Sequence, residues 1–317
     1  MIIVTGGAGF IGSNLIEALN ARGDTEILVV DRSPDSRNLA NLRISDLIQP
    51  DQFRRAIERD ALPPRIDAIF HQGACADTTC DDRAYMMDNN FTFSKEILQL
   101  ALARRIPLVY ASSAAVYGAS TAFEPAPENE RPLNLYGVSK LAFDNHVREL
   151  VASSESVVAG LRYFNVYGPR ESHKGKMASM VYQLYRQLRT SGRARLFTGT
   201  DGYADGEQRR DFVFVGDVVR VNLALAAGTM RSGIFNVGTG QSRSFNEVAG
   251  TIVERIGAGA IEYVPFPENL AGRYQSFTQA DLSGLRDAGY GEKFSSLEDG
   301  IAKSVAAWDL EAALATV

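Results

Sequence analysis

The chain has 317 residues, 45% hydrophobic and 22% charged, the composition of a water-soluble globular protein with material for one large domain or two smaller ones. Its 33 Lys and Arg against 38 Asp and Glu leave a formal net charge of -5, so it lacks the basic excess that neutralises a nucleic-acid backbone, and DNA and RNA are not expected partners. Two cysteines, Cys75 and Cys80, exclude a disulfide scaffold, and His71, His146 and His173 show no paired zinc-ligand spacing, so no metal is expected.

The first residues, 2–5, form a strand-like run with no basic n-region and no cleavage pattern, so secretion is not expected. Short β-branched runs then alternate with amphipathic stretches. The predicted segments are 2–5, 10–21, 27–31, 68–71, 89–103, 108–112, 136–151 and 157–163. That rhythm predicts repeated βαβ units, hence an α/β protein with a parallel sheet covered on both faces. The most apolar stretch, 97–110, is interrupted by Arg104 and Arg105, and no run reaches the roughly 18 to 20 residues of a membrane span. Beyond about residue 165 the rhythm loosens into Gly- and Arg-rich loops, with a helix-like 177–189 and a strand-like 211–215 between them. An Ala-rich tail, 311–317, reads as frayed.

Strand 2–5 runs into Gly6-Gly7-Ala8-Gly9-Phe10-Ile11-Gly12 and then a helix. Glycines at such a strand-to-helix turn let backbone approach a pyrophosphate, which the helix N-terminus stabilises with free N–H groups and its dipole. The second strand ends in Asp31, 19 residues after Gly12, where a carboxylate accepts hydrogen bonds from ribose hydroxyls. Arg32 and Arg37 follow, where a 2′-phosphate would sit, and guanidinium grips phosphate through paired hydrogen bonds.

Tyr136-Gly137-Val138-Ser139-Lys140 puts a phenol and an ammonium on one helix face. A nearby cation lowers a phenol's pKa and lets it exchange a proton with an alcohol. Strand 108–112 delivers Ser113 at its carboxyl end, where a hydroxyl can hold the same substrate oxygen. Arg210, in Arg209-Arg210-Asp211, is read as a pyrophosphate ligand. Tyr85, Met86, Met87, Tyr163 and Phe164 are read as core, Cys75 as a small apolar residue and His173 as a hydrogen-bonding loop residue.

These motifs, in this order, resemble the extended short-chain dehydrogenase/reductase family, most closely its sugar-nucleotide epimerases. The resemblance spans nearly the whole chain. Its most distinctive segments are 1–14, Gly73-Ala74-Cys75 with Thr78-Thr79, 85–90, 162–171, 173–175, 272–275 and 277–281. It implies a Rossmann-type doubly wound sheet, residues 1–165 and 211–240, with a smaller α/β substrate-binding domain, 166–210 and 241–310. It implies an isomerase that inverts C6″ of an ADP-heptose through transient oxidation to a 6″-ketone and re-reduction with one recycled NADP. The setting it implies is lipopolysaccharide core precursor synthesis in the bacterial cytoplasm, by a homo-oligomer of pentameric pattern.

Carried over residue by residue, Gly6, Gly9, Phe10, Ile11, Gly12, Asp31, Arg32, Arg37, Asp46, Gln72, Gly73, Ala74, Cys75, Ala76, Asn89, Lys140, Val166 and Lys174 would bind the cofactor. Ser113, Asn165, Lys176, Gln183, Phe197, Thr198, Gly199, Thr200, Arg210 and Tyr274 would hold the sugar nucleotide. Tyr136 and Lys174 would be the two acid/base residues, supported by Lys140 and Ser113. The chain departs from the family at Asn38, where a lysine is usual, at Lys176 and Gln183, where Ser and His are usual, and in a longer loop, 201–208. The competing readings are a UDP-hexose 4-epimerase, a 4,6-dehydratase, and a catalytically silent NADP-sensing regulator. Ala114 and Ala115 after Ser113 disfavour the dehydratase, which needs a carboxylate there.

Overall fold

The computed structural model describes residues 1–33, 37–151, 154–268 and 274–314. The first half of the chain reads β1 (Ile2–Thr5), α1 (Phe10–Ala21), β2 (Ile27–Val30), β3 (Asp46–Ile48), α2 (Pro50–Glu58), β4 (Ala68–His71), α3 (Arg83–Met87), α4 (Phe93–Arg104), β5 (Leu108–Ser113), α5 (Leu135–Leu150) and β6 (Val158–Tyr163). The second half continues with β7 (Asn165–Tyr167), α6 (Met180–Ser191), β8 (Arg193–Phe197), β9 (Arg209–Arg210), β10 (Phe212–Phe214), α7 (Val215–Ala226), β11 (Gly233–Val237), β12 (Arg243–Ser244), α8 (Phe245–Ile256), β13 (Ala260–Val264), α9 (Ser283–Asp287) and α10 (Leu297–Leu314).

Seven strands form one parallel sheet in the order β11-β6-β5-β4-β1-β2-β3. Strands β2, β4 and β6 are buried along their whole length, as expected where helices cover both faces. Alternate residues therefore serve different layers. Val4, Val29 and Phe70 pack with Leu15, Ile16 and Leu19 of α1 and Val218 and Leu225 of α7. Their neighbours Ile3, Leu28 and Ile69 pack with Phe53 of α2, Ile97 of α4 and Phe143 of α5. Among the described residues no helix is long and apolar enough to cross a membrane.

A separate apolar cluster joins Val181, Leu184 and Leu188 of α6 to Ala194 and Leu196 of β8, Val248 and Ile252 of α8, and Ile301, Val305 and Trp308 of α10. Here β8 and β13 pair in parallel, apart from the main sheet. Side-chain caps fix the helix starts: Ser179 accepts from the Tyr182 N–H at α6, and Ser244 and Glu247 form a reciprocal capping box at α8.

The predicted segments of the first half coincide with β1, α1, β2, β4, β5, α5 and β6 to within a residue or two. Four differences have clear causes. The helix expected over 89–103 starts at Phe93, because Asp88–Thr92 forms a π-helical turn that inserts an extra residue and buries Asn90. The helix expected over 177–189 is α6, Met180–Ser191, held off by a kink at Gly175. The strand expected over 211–215 is shorter, because Val215 already begins α7. The tail read as frayed is helical through Leu314, while residues 315–317 lie outside those described, as do Gly272 and Arg273 of the resemblance.

Trp308 anchors that last helix. Its ring packs against Tyr182 and Tyr185, at centroid distances of 5.1 and 4.9 Å, and its Nε1–H donates to the Gly168 carbonyl at 3.1 Å. Replacing Trp308 by Ala is expected to cost about 3 to 5 kcal/mol, measured as a shifted urea midpoint. An unchanged midpoint would show that the end of α10 does not support this cluster.

Candidate active site

In the sheet the strand order reverses at β1: β2 and β3 lie to one side, β4, β5 and β6 to the other. The connections after β1 and β4 therefore leave the carboxyl edge in opposite directions and open a crevice between them. The turn after β1 is tight. Gly6 has φ of +66°, and a Cβ at Gly12 would stand 2.2 Å from the Gly6 carbonyl oxygen. Gly9 opens α1 without a side-chain cap. A bare turn at a helix N-terminus fits a dinucleotide's pyrophosphate.

After β4, the Gln72 N–H donates to the Thr5 carbonyl at 3.1 Å and the Gly73 N–H to Thr5 Oγ1 at 3.1 Å, so this loop lies against the glycine turn. Ala74 and Ala76 are exposed and Cys75 is half-buried. Asn90 clamps the Cys75 backbone, accepting from its N–H at 2.7 Å and donating to its carbonyl at 2.9 Å. The Gln72 side chain is held by Asn222 and Tyr163, each at 3.0 Å. Phe10 is buried, Ile11 half-buried, and Val166 sits in β7 opposite Val213.

Asp31 follows β2 at this edge. Its carboxylate accepts from the Ala8 N–H at 3.0 Å and the Ser33 N–H at 3.1 Å, which ties it to the glycine turn. Arg32 turns back onto the π-helical turn, donating to Tyr85 Oη and Asn89 Oδ1, with its guanidinium 5.3 Å from the Tyr85 ring centroid. Tyr85, read as core, is thus an exposed platform, while Met86 beside it is fully buried. Arg37 is exposed. Asp46 is a correction: it opens β3 at the opposite, amino end, exposed, and accepts from the N–H of its own neighbour Leu47. The structure does not bring it to the other residues.

Ser113, Tyr136 and Lys140 do converge. Asn134 caps α5 by accepting from the Gly137 N–H at 2.8 Å, and this fixes the first turn, which carries Tyr136. The Tyr136 phenol lies beside the Ser113 hydroxyl, which favours its ionised form. Lys140 Nζ donates to the Ala111 carbonyl at 2.9 Å and lies 5.9 Å from the Tyr136 ring centroid. The expected lowering of the Tyr136 pKa is corrected here. Burial raises it, the Ser113 hydroxyl opposes only in part, and Lys140 is turned to a carbonyl. Burial also pushes Lys140 down to about 8, against the field of Asp144. Lys174, in the loop after β7, stands over the Phe10 ring at 5.3 Å. Burial lowers its pKa, and Glu171 partly restores it.

On the substrate side, Arg210 is 7% exposed, and among the described residues no carboxylate pairs with it. Burial lowers its pKa, so the site lacks an anion that a diphosphate would supply. Its guanidinium lies 4.8 Å from the Tyr274 ring centroid. Phe197 and Tyr274 form a ring cluster with Phe266, which sequence reading missed, at centroid distances of 5.6 and 5.3 Å from it. Thr198, Gly199 and Thr200 start the long loop, closed by the Gly199 N–H donating to Asp205 at 2.8 Å. Asn165 and Lys176 are exposed at the crevice edge. The Gln183 amide is spent on the Lys176 and Ala178 carbonyls, at 3.2 and 2.8 Å, so it shapes the Lys174 loop.

The pattern of the NAD dependent epimerase/dehydratase family matches residues 2–238. The chain belongs to that family. The ADP-L-glycero-D-manno-heptose-6-epimerase of Alkalilimnicola ehrlichii is 55% identical to this epimerase over 304 residues, 95% of each chain. The solved ADP-L-glycero-D-manno-heptose-6-epimerase of Helicobacter pylori is 34% identical, with a TM-score of 0.82 over 96% of this chain and 94% of its own. The UDP-glucose 4-epimerase of Thermus thermophilus, solved with NAD, is 28% identical with a TM-score of 0.77 over 97% and 98% of the two chains. The cofactor of the epimerase is accordingly a nicotinamide dinucleotide.

A concavity of about 470 Å³ lined by Leu19, Arg22, Thr25 and Asp67 lies at the amino ends of the strands and holds none of these site residues. The crevice at the other edge is where the epimerase concentrates polar groups. There His71, fully enclosed, binds Thr5 Oγ1 at 2.6 Å and Ser94 Oγ at 2.8 Å; Ser94 donates to the Asn90 carbonyl, and Asn90 to Ser139. That chain links the glycine turn to the helix bearing Tyr136, and only its burial reveals it.

Burial, with Lys140 nearby, pushes His71 down from 6.5 to about 3, so the folded epimerase keeps it neutral while an unfolded chain takes up a proton. Its contribution to stability is complete above about pH 6.5 and is lost as pH falls toward 3. His71→Gln is expected to flatten that acid-side loss. Urea denaturation at stepped pH measures it, and a slope equal to wild type would remove His71 as the cause.

Proposed function

We propose that this epimerase inverts C6″ of ADP-D-glycero-β-D-manno-heptose to give ADP-L-glycero-β-D-manno-heptose, in lipopolysaccharide core precursor synthesis, with NADP as its recycled cofactor. The observation that carries this reading is the presence of two proton-holding groups on separate elements at one crevice: Tyr136 beside Ser113, and Lys174 against Phe10 at the start of α1. The 55% identity to a protein of that name supports the choice of substrate. In this reading residues 1–165 and 211–240 hold the cofactor, and 166–210 with 241–310 hold the sugar nucleotide.

A bound nicotinamide would supply the acceptor and donor of the C6″ hydride, so no net redox change would result. Tyr136 as the phenolate, or Lys174 as the neutral amine, takes the proton of the C6″ hydroxyl, and Ser113 holds the oxygen when it faces Tyr136. Inversion requires the resulting ketone to present its other face, so its oxygen occupies two positions, each needing a proton donor within reach. Tyr136 serves one and Lys174 the other. Burial has already lowered the Lys174 pKa toward a range useful for proton exchange. Arg210 and the rings of Phe197 and Tyr274 hold the nucleoside diphosphate. Asp31 takes the cofactor's ribose, and Arg32 and Arg37, both exposed beside it, offer charge to a 2′-phosphate.

Parallel incubations with ADP-D-glycero-β-D-manno-heptose and with UDP-glucose, with stereochemical analysis at C6″ and C4″, test the assignment; inversion of the UDP-hexose at C4″ with the heptose unchanged would overturn it. Tyr136→Phe is expected to lower turnover about a hundredfold to ten-thousandfold with cofactor binding nearly intact, and a rate within threefold of wild type would remove Tyr136 from the chemistry. Lys174→Met is expected to lose epimerisation to a comparable degree. Near-native epimerisation by that variant would mean that one group or water serves both faces. NADP is expected to bind more tightly than NAD, and Arg32→Ala to weaken NADP selectively by about 1.5 to 3 kcal/mol; titration of the apoprotein with each dinucleotide decides both.

A further inference from the structure

Helix α5 meets strand β5 through one of its faces, residues 136, 140 and 144. Tyr136 lies beside the Ser113 hydroxyl, Lys140 bonds the Ala111 carbonyl, and Asp144 receives Tyr110 Oη at 3.0 Å and Ser112 Oγ at 2.9 Å. Eight helical residues rise about 12 Å, and the three steps from Tyr110 to Ser113 span about 10 Å, so the two elements stay in step. Gly160 of β6, opposite Tyr110, makes room for this, since a Cβ there would stand 2.3 Å from the phenol oxygen.

Asp144 is fully buried, as is Arg162, whose Nε donates to Asp144 at 2.9 Å. Arg162 also reaches Glu130, which Arg148 grips with both terminal nitrogens. Two carboxylates therefore balance two guanidiniums. Lys140, 5% exposed, is one buried cation more. The groups acting on it are Asp144 from its own helix, Cys75 from the loop after β4, and the enclosed neutral His71 at the end of β4.

We propose that Asp144 is a positioning residue for the epimerisation: it locks α5 on β5 so that Tyr136 meets Ser113, and it supplies the counter-charge to Lys140. The inference rests on the reading of Tyr136 as one of the two acid/base groups, supported by Lys140. Asp144 touches neither substrate nor cofactor in this role. It acts through the helix face and through its field.

The test is the pH profile of ADP-heptose epimerisation by the cofactor-loaded enzyme. Without the Asp144 charge Lys140 gives up its proton more readily, so in Asp144→Asn the alkaline limb of kcat is expected to move down by about one pH unit or more. At pH 7 kcat should fall about tenfold to a hundredfold, with KM within about threefold because the sugar-nucleotide contacts are untouched. Asp144→Asn leaves Arg162 short of a partner and is at risk of not folding. The double variant Asp144→Asn/Arg162→Gln strands no buried guanidinium and is expected to show the same downward limb. Tyr110→Phe, which keeps the charge and removes one bond to it, should leave the limb in place.

A folded Asp144 variant with an unmoved limb overturns the proposal, as does an equal displacement in Tyr110→Phe. Lys140→Met separates the two levels. If it is inactive while the Asp144 variants keep the wild-type limb, only the Asp144 assignment fails. If it retains native turnover, the reading of Lys140 as the support of Tyr136 fails as well.

Discussion

The close approach of two backbone segments where the strand order reverses governs the rest of the molecule. Thr5 closes β1 with its carbonyl bonded to the Gln72 N–H and its hydroxyl to the Gly73 N–H, so the connections after β1 and β4 begin side by side and then part. A side chain at Gly12 would collide with the Gly6 carbonyl, so the turn admits only bare backbone. With that edge fixed, β2 brings Asp31 to one side of the crevice and β5 brings Ser113 to the other. The positions of Tyr136 and Lys140 follow, because α5 is pinned to β5 residue by residue.

Such a crevice desolvates Tyr136, Lys140, Lys174 and Arg210. Burial raises the phenol of Tyr136 and lowers the amines of Lys140 and Lys174, so each is pushed toward its neutral form. In the proposed mechanism this suits opposite tasks: a neutral Lys174 amine is ready to accept a proton and a neutral Tyr136 phenol is ready to donate one. Arg210 cannot neutralise in this way. Its guanidinium stays charged and buried, and its carboxylate-free surroundings make an anionic ligand the natural counter-charge.

The sequence was legible where local pattern determines structure. The β-branched runs and the glycine turn located β1, β2, β4, β5 and β6 and the edge of the sheet they share, and Tyr136 with Lys140 marked α5. It was not legible where three-dimensional context decides. Asp46 lies only two residues before Ile48, yet β3 runs parallel to β2 and so carries it to the wrong end of the sheet. The Tyr136 pKa moves up because burial outweighs the Ser113 hydroxyl while Lys140 is directed at a carbonyl, and neither burial nor that direction shows in a four-residue spacing. Arg162 and Asp144 read as a polar residue in a strand and an ordinary helix charge until the fold encloses them together. Phe266 stands far from Phe197 in the chain, and only the parallel pairing of β8 with β13 makes them neighbours.

Asn38, where the family usually has lysine, shows how a departure from pattern alters what neighbouring residues must supply. Its amide nitrogen lies 3.1 Å from the Ala8 carbonyl, the Arg170 carbonyl and His173 Nδ1, and its own carbonyl accepts from Arg170 at 2.6 Å. The residue thereby clips the glycine turn to the loop that carries Lys174. A lysine side chain could not reproduce that short contact, since its ammonium sits at the end of a four-carbon stem. The exchange gains a fixed distance between the cofactor turn and Lys174, and it removes one charge from the region beside Asp31. Charge for a 2′-phosphate must then come from Arg32 and Arg37. Because Arg32 is already held by Tyr85 and Asn89, its contribution depends on how far the π-helical turn lets that guanidinium swing. In the proposed NADP reading, the geometry of Asp88–Thr92 would bear on dinucleotide preference through Arg32, which lies outside it.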